Sequence, residues 1–331
     1  MESGTGIDTD FTRHAGVRVP LICGPMYPCS NPELVAAVSE AGGLGVIQPV
    51  SLTFVHGYGF REGLRIIKRL TSRPLGMNAL IEKSSRRYHE RMVEWIDVAL
   101  DEGVRFFITS LGNPKWVVER VRPAGGIVYH DVTERKWALK GLEGGVDGLI
   151  AVNNRAGGHA GGRSQQALLQ ELSDLGLPLI CAGGIGTEEE FVDAILQGYA
   201  GCQLGTRFIA TTECKASQPY KQAILRSTES DIVLSERITG VPVSVIKTPW
   251  IEKTGIEAGP MARRLLGNKR TKHWMRMLYT IRSAFQLRKS SLDEESGHDF
   301  WQAGKSVAGI DSIEPAGAII HRFEAALRTR L

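Results

Sequence analysis

Eight short apolar runs, set roughly 20–30 residues apart and divided by helix-like stretches, constrain this chain more than any other feature. They are Pro20–Cys23, Leu44–Ile47, Leu75–Leu80, Phe106–Thr109, Ile127–His130, Gly148–Val152, Leu179–Ala182 and Gly201–Leu204. Continuous apolar runs of this length suit strands covered on both faces, and the spacing suits one strand plus one crossover helix. The stretches between them carry helix punctuation. Asn31-Pro32-Glu33 offers a cap, a first-turn proline and a first-turn acid, and Gly42-Gly43 is a stop. Arg87–Leu100 places Met92, Trp95, Ile96 and Leu100 on one face. Thr133 opens a helix through Ala138 and Leu142, and Thr187 with Glu190 has capping-box spacing.

Strand and helix repeated eight times predict a TIM (β/α)8 barrel. The rival, a doubly wound open sheet, usually carries G-x-G-x-x-G after its first strand. Here Gly24-Pro25-Met26-Tyr27-Pro28 follows instead, and the nearest miss, Gly57-Tyr58-Gly59, follows no clear strand and has Glu62 where glycine is needed. After Arg207-Phe208 the alternation stops, and residues 217–312 read as polar and helix-rich. The expected organisation is a barrel over 1–216, an inserted helical lid over 217–312, and a helix over 313–331 that returns to the barrel.

Hydrophobic residues at 42% and charged residues at 23% place the 331-residue chain among globular proteins. No apolar run reaches about 18 residues, so no membrane span is expected. The N-terminal MESGTGIDTD is polar and acidic, unlike a secretory signal. Cys23, Cys29, Cys181, Cys202 and Cys214 include no Cys-x-x-Cys pair, and they read as buried reduced thiols of a cytoplasmic protein rather than as metal ligands. Net charge is +4, but nine Lys/Arg and no acid lie between Ala258 and Leu292. With those nine set aside, 31 of the 40 basic residues remain against 36 acidic ones, an acidic body with one basic segment.

A TIM barrel builds its site at the C-terminal ends of its strands. Glycine is high, at 38 residues, and falls at several of those ends. Ala182-Gly183-Gly184-Ile185 before the Thr187 helix, and Gly205-Thr206, would let backbone N–H groups approach a phosphate with no side chain in the way. The loop Ala156-Gly157-Gly158-His159-Ala160-Gly161-Gly162 sets one histidine among four glycines, as if a flat ligand approached the backbone closely. His159 there can act as a base or donate to an oxygen or nitro group. His130, at the end of the fifth run, could also reach the pocket; the other histidines have no converging partners in sequence.

Taken in order, Pro20–Met26, Ala41-Gly42-Gly43-Leu44-Gly45, Ala156-Gly157-Gly158-His159, Ala182-Gly183-Gly184-Ile185 and Gly205-Thr206-Arg207-Phe208 resemble the nitronate monooxygenase (2-nitropropane dioxygenase-like) family of FMN-dependent TIM barrels. Trp301–Ser306 looks like the family's W-x-(A/G)-G-x-S segment. The resemblance implies a noncovalent FMN. Its phosphate would lie on Gly183, Gly184, Gly205 and Thr206 and its ring near Pro25, Met26 and Asn78, with Gly24, Asp131, Gly158 and Ala182 also among the cofactor-binding residues. His159 would face the substrate as catalytic base or orienting group. The implied reaction oxidises an alkyl nitronate with O2 to a carbonyl compound and nitrite. Some members carry lysine after the strand-five histidine, where this chain has Asp131; a cation there favours an anionic substrate, and an aspartate does not.

Related FMN-dependent enoyl-thioester reductases and NAD(P)H:quinone reductases share the motif set, so fold and cofactor leave the reaction open. A phosphate-binding barrel without redox chemistry is a third class. In the basic segment, Arg263–Lys289 interleaves charge with Trp274, Met275, Met277, Leu278, Ile281 and Phe285 at helical spacing. It reads as a lid helix with its apolar stripe on the barrel and a basic outer face. Such a face suits an acidic partner, coenzyme A phosphates or an acyl carrier protein, more than a membrane surface; no nucleic-acid motif accompanies it. A monomer or homodimer is expected.

Overall fold

A computed structural model describes residues 7–82, 85–237, 242–257, 283–294, 297 and 299–331. Eight parallel strands close into a barrel in chain order: β1 (Leu21–Cys23), β2 (Leu44–Ile47), β3 (Leu75–Leu80), β4 (Phe106–Ser110), β5 (Ile127–Val132), β6 (Gly148–Val152), β7 (Leu179–Ala182) and β8 (Gly201–Leu204). The apolar runs locate all eight, and only ends differ, chiefly β5, which continues through Asp131 and Val132 to pair with Ile150 and Ala151. Helices α1 (Asp10–Ala15), α2 (Pro32–Glu40), α3 (Phe60–Leu70), α4 (Arg86–Asp101), α5 (Lys115–Val121), α6 (Arg135–Glu143), α7 (Gln165–Leu172) and α8 (Glu188–Leu196) accompany them.

Alternation along the strands divides the apolar residues into two cores. Ile22, Leu44, Val46, Phe106, Ile108, Tyr129, Ile150, Ile180 and Ala182 fill the barrel interior. Residues of the opposite parity, such as Leu21, Ile47, Met77, Phe107, Val128, Leu149 and Cys181, pack against the helices. The sequence reading missed α1, which plugs the lower end: Phe11 meets Phe106 and Tyr129 at centroid distances of 5.7 and 6.1 Å.

Cap chemistry is partly as expected. Thr187 accepts the Glu190 N–H while the Glu190 carboxylate accepts the Thr187 N–H, a complete capping box. Asn31 occupies the cap position of α2 in extended backbone, but its side chain does not cap. Its Nδ2 instead donates to Glu33 Oε2 at 2.7 Å and to the Glu213 carbonyl at 2.9 Å.

No long helix follows β8 directly. The four-residue α9 (Thr206–Ile209) ends there, and the C-terminal helix Ala316–Arg330 packs on both α8 and α2. It thereby fills the gap in the ring that a helix after β8 would fill. Phe323 lies 5.4 Å from Phe191 of α8, and Glu324 pairs with Arg18. Arg207, almost fully buried at the end of β8, donates to the Ala210 and Ser312 carbonyls at 3.1 and 2.7 Å and faces Glu314 at 3.4 Å. Glu314 in turn takes two bonds from Arg322 of the C-terminal helix.

Residues between α9 and the C-terminal helix are not wholly helical. Besides α10 (Gln218–Arg226), α11 (Pro249–Thr254) and helical residues 283–292, they contain an antiparallel pair, β9 (Ile232–Ser235) with β10 (Val243–Ile246). The pair's alternation is hidden in sequence because β10, Val-Ser-Val-Ile, is buried at every position. Of the nine basic residues, only Arg288 and Lys289 are among those described, and both are exposed; residues 263–282 of the helix expected from the sequence lie outside the described residues. Phe285, assigned to the apolar stripe, is 68% exposed; Leu287 instead joins Val243, Val245, Ile251 and Phe300 in a small core. All five cysteines are free and buried. No helix among the described residues is long and apolar enough to cross a membrane, and no cluster there is set for a metal.

Candidate active site at the strand ends

The interior parity, carried one step beyond the apolar layers, sets Gly24, Gln48, Asn78, Ser110, Asp131, Val152, Ala182 and Gln203 at the C-terminal mouth. Most of this layer is polar, unlike everything beneath it. Two of its oxygens are closed off from solvent with no partner among the described residues: Asp131 Oδ1 and Gln203 Oε1. Buried polar atoms normally find a partner, so an orphaned pair in one layer points to a ligand above it. Gln203 was absent from the sequence reading. Its signal is a glutamine at an inward position of an otherwise apolar strand.

Asp131 as a residue is half-buried, but burial of its carboxyl, with no charged group acting on it, pushes its pKa up to about 7. His130 has the opposite parity and does not reach the pocket. It lies under α6, with Cδ2 3.4 Å from where a Cβ on Gly141 would stand, and Nδ1 2.9 Å from Thr109 Oγ1. Adjacent strand residues cannot both point inward, so Asp131 excludes His130. Burial lowers the His130 pKa to about 4. The neutral ring is thus favoured on folding, and its contribution is complete above the ordinary value of 6.5 and lost as pH falls toward 4. His130→Gln should flatten the fall in stability over that window, measured by urea unfolding at pH 7 and pH 4.5.

Asn153, fully buried after β6, fastens the glycine-rich loop to β7. Its Nδ2 donates to the Gly183 carbonyl at 2.8 Å, and its Oδ1 accepts the Arg155 N–H at 2.8 Å. The loop then joins β10, where Gly158 and Ser244 exchange backbone bonds of 3.3 and 2.7 Å. The Trp301–Ser306 segment completes the assembly. Ile246 donates to the Trp301 carbonyl, Lys305 to the Arg155 carbonyl, and Gly304 to Thr206 Oγ1 at 3.0 Å. The two sequence segments on either side of the site are therefore one hydrogen-bonded unit. His159 follows Gly158 and is exposed to solvent. Desolvation by the surrounding protein lowers its pKa below the ordinary 6.5, although its surface stays open.

The glycines divide into two kinds. Gly183 has φ +114°, and a Cβ there would stand 2.6 Å from Ala156 N and Asn153 Oδ1, so protein packing alone demands glycine. At Gly205 a Cβ would meet only Met26, at 3.5 Å. The N–H groups of Gly183, Gly184, Gly205 and Thr206 donate to no acceptor among the described residues. Thr206 Oγ1 accepts from Gly304, which leaves its own proton free to donate. Free N–H donors on one side and orphaned oxygens in the floor fit the phosphate and the polar ring of the implied flavin. A separate cleft of about 510 Å³ opens on the outer face between α3 and α4, lined by Phe54, Tyr58, Arg91 and Trp95, and none of these residues belongs to the strand ends.

The family model described as nitronate monooxygenase matches residues 9–324. A Mycobacterium tuberculosis (3aS,4S,5R,7aS)-5-hydroxy-7a-methyl-1-oxo-octahydro-1H-indene-4-carboxyl-CoA dehydrogenase is 27% identical over 259 residues, 77% of this chain and 70% of that protein. A probable nitronate monooxygenase of Staphylococcus saprophyticus is 28% identical over 290 residues, 75% of this chain and 81% of its own. Among solved structures, FabK from Thermotoga maritima superposes with a TM-score of 0.80 at 24% identity over 98% of this chain and 97% of that one. Nitroalkane oxidase from Streptomyces ansochromogenes gives 0.74 at 22% identity, over 96% and 98%. The last two likenesses speak to the fold. With the family model covering nearly its whole length, the chain is an oxidoreductase of the nitronate monooxygenase family.

Proposed function

We propose that the protein is an FMN-dependent oxidoreductase that oxidises alkyl nitronates, and the nitroalkanes from which they form, with O2 to a carbonyl compound and nitrite. Bound FMN would supply the two-electron chemistry. The observation that carries the reading is the position of His159, exposed on the loop after β6 at the mouth of a barrel whose floor holds unsatisfied polar atoms; desolvation favours its neutral form. A neutral imidazole can take the α-proton of a nitroalkane at a ring nitrogen and hold it away from the nitro oxygens. Gly183, Gly184, Gly205 and Thr206 would hold the phosphate; Gly24, Pro25, Met26, Asn78, Asp131, Gly158 and Ala182, with Gln203, would border the ring.

A second reading, oxidation or reduction next to an acyl thioester, is favoured by Asp131, which offers no cation to an anionic nitronate, and by the likeness to a carboxyl-CoA dehydrogenase. In it the basic segment would meet the acidic tail of coenzyme A or an acyl carrier protein. Anaerobic addition of ethyl nitronate should bleach the yellow FMN-loaded protein within turnover time. If only NADPH or an acyl-CoA bleaches it, the thioester reading replaces the first. A protein that takes up no FMN overturns both.

A further inference from the structure

We propose that Asp131 holds the flavin as a neutral carboxylic acid, donating its proton to an acceptor on the ring. This rests on the FMN reading above and assigns a role to the residue at which the chain departs from a lysine-bearing pattern.

The position is geometric. Asp131 is two residues beyond Tyr129 on β5 and so shares its inward face. Its Oδ1 is closed off from solvent and has no partner among the described residues. The neighbouring strands bring it nothing to pair with: β4 offers Thr109 and Ser110, β6 offers Ile150 and Val152, and across the mouth stand the amides of Asn78 and Gln203. Behind the strand, α6 faces His130. Below, Tyr129 is a buried phenol whose pKa is pushed up. The β6 loop carries His159, whose neutral form desolvation favours.

Flavin chemistry decides the protonation state. The oxidised isoalloxazine ring has one N–H donor and several acceptors, namely two carbonyl oxygens and two ring nitrogens. Two orphaned oxygens in the floor cannot both be satisfied by one N–H. Gln203 can turn its amide to present either end. Asp131 can become a donor only by taking a proton, which burial already favours. A neutral acid also removes the repulsion that a carboxylate would exert on an anionic nitronate. The acidic residue and the anionic substrate are then compatible.

Proton linkage makes this measurable. At pH 8 the FMN phosphate is fully ionised and His159 and His130 are neutral, so none of them exchanges protons on binding. Asp131 is mostly ionised in the free protein at that pH, and it must take up a proton when FMN binds. Isothermal titration of FMN at pH 8, in two buffers of different ionisation heat, should show net uptake approaching one proton for the natural protein and none for Asp131→Asn. The ratio of their Kd values, natural over Asp131→Asn, should rise about thirtyfold from pH 6 to pH 8.5. Asp131→Leu, which has no hydrogen bond to give, should bind FMN weakly at every pH. Equal proton uptake in the natural protein and Asp131→Asn, a flat ratio, or normal binding by Asp131→Leu would each refute the role while leaving the FMN reading intact. No FMN binding at any pH would remove both together. Thermal melts of the apo variants establish that each is folded.

Discussion

His159→Ala is expected to lower kcat/KM for a nitroalkane by about 10²–10⁴-fold, the usual weight of a positioned acid or base, while the Kd for FMN changes less than about threefold. The substitution removes one exposed ring and leaves the Gly158–Ser244 bonds that hold the loop. The split between substrates is the informative part. A preformed nitronate has no α-proton to lose, so its oxidation should fall far less than that of the parent nitroalkane. The pH profile gives a second handle. Desolvation lowers the His159 pKa below 6.5, so kcat/KM for the nitroalkane should be level at neutral pH and drop as pH falls through that depressed value. This acid limb should vanish in His159→Gln. Equal losses for nitroalkane and nitronate would show that His159 orients the substrate rather than deprotonating it.

Gly183→Ala and Gly205→Ala should separate packing from ligand binding. At Gly183, positive φ and a Cβ 2.6 Å from Ala156 N and Asn153 Oδ1 demand that the β6 loop move. Left-handed strain and overpacking together suggest a loss of about 2–5 kcal/mol, with FMN affinity lost alongside. At Gly205, φ is −114° and the added methyl would touch only Met26. Unfolding should therefore be nearly unchanged, yet a methyl beside the free N–H groups should weaken FMN by tenfold or more. Titration of each variant with FMN and with riboflavin, which lacks the phosphate, checks the assignment. Gly205→Ala should lose FMN affinity and leave the weaker riboflavin binding unchanged. If Gly205→Ala binds FMN normally, the phosphate lies elsewhere.

The barrel was legible in the sequence because each strand is buried on both faces and so reads as an uninterrupted apolar run. The β9–β10 pair was not, since its polarity pattern depends on neighbours that come from the β6 loop and from Trp301–Gln302. Helix α1 escaped because it is six residues long and its apolar side chains face the strands' lower end rather than a groove between helices. In the site, His159 and the glycines stood out by composition alone. Gln203 and the exclusion of His130 needed parity, which is set by which face of each strand turns inward. The alternation from Tyr129 to Asp131 contains that information once the barrel is assumed. The orphaned oxygens themselves are properties of assembly and have no counterpart in a linear pattern.

The C-terminal helix has a consequence for the order of events during synthesis. Its seat lies between α2 and α8, so residues 32–40 wait for a partner that emerges from the ribosome almost three hundred residues later. Until then the apolar flank formed by Val38 and Phe191 is uncovered. Closure of the cylinder's outer wall thus waits until this helix has been made, through a contact of very high sequence separation.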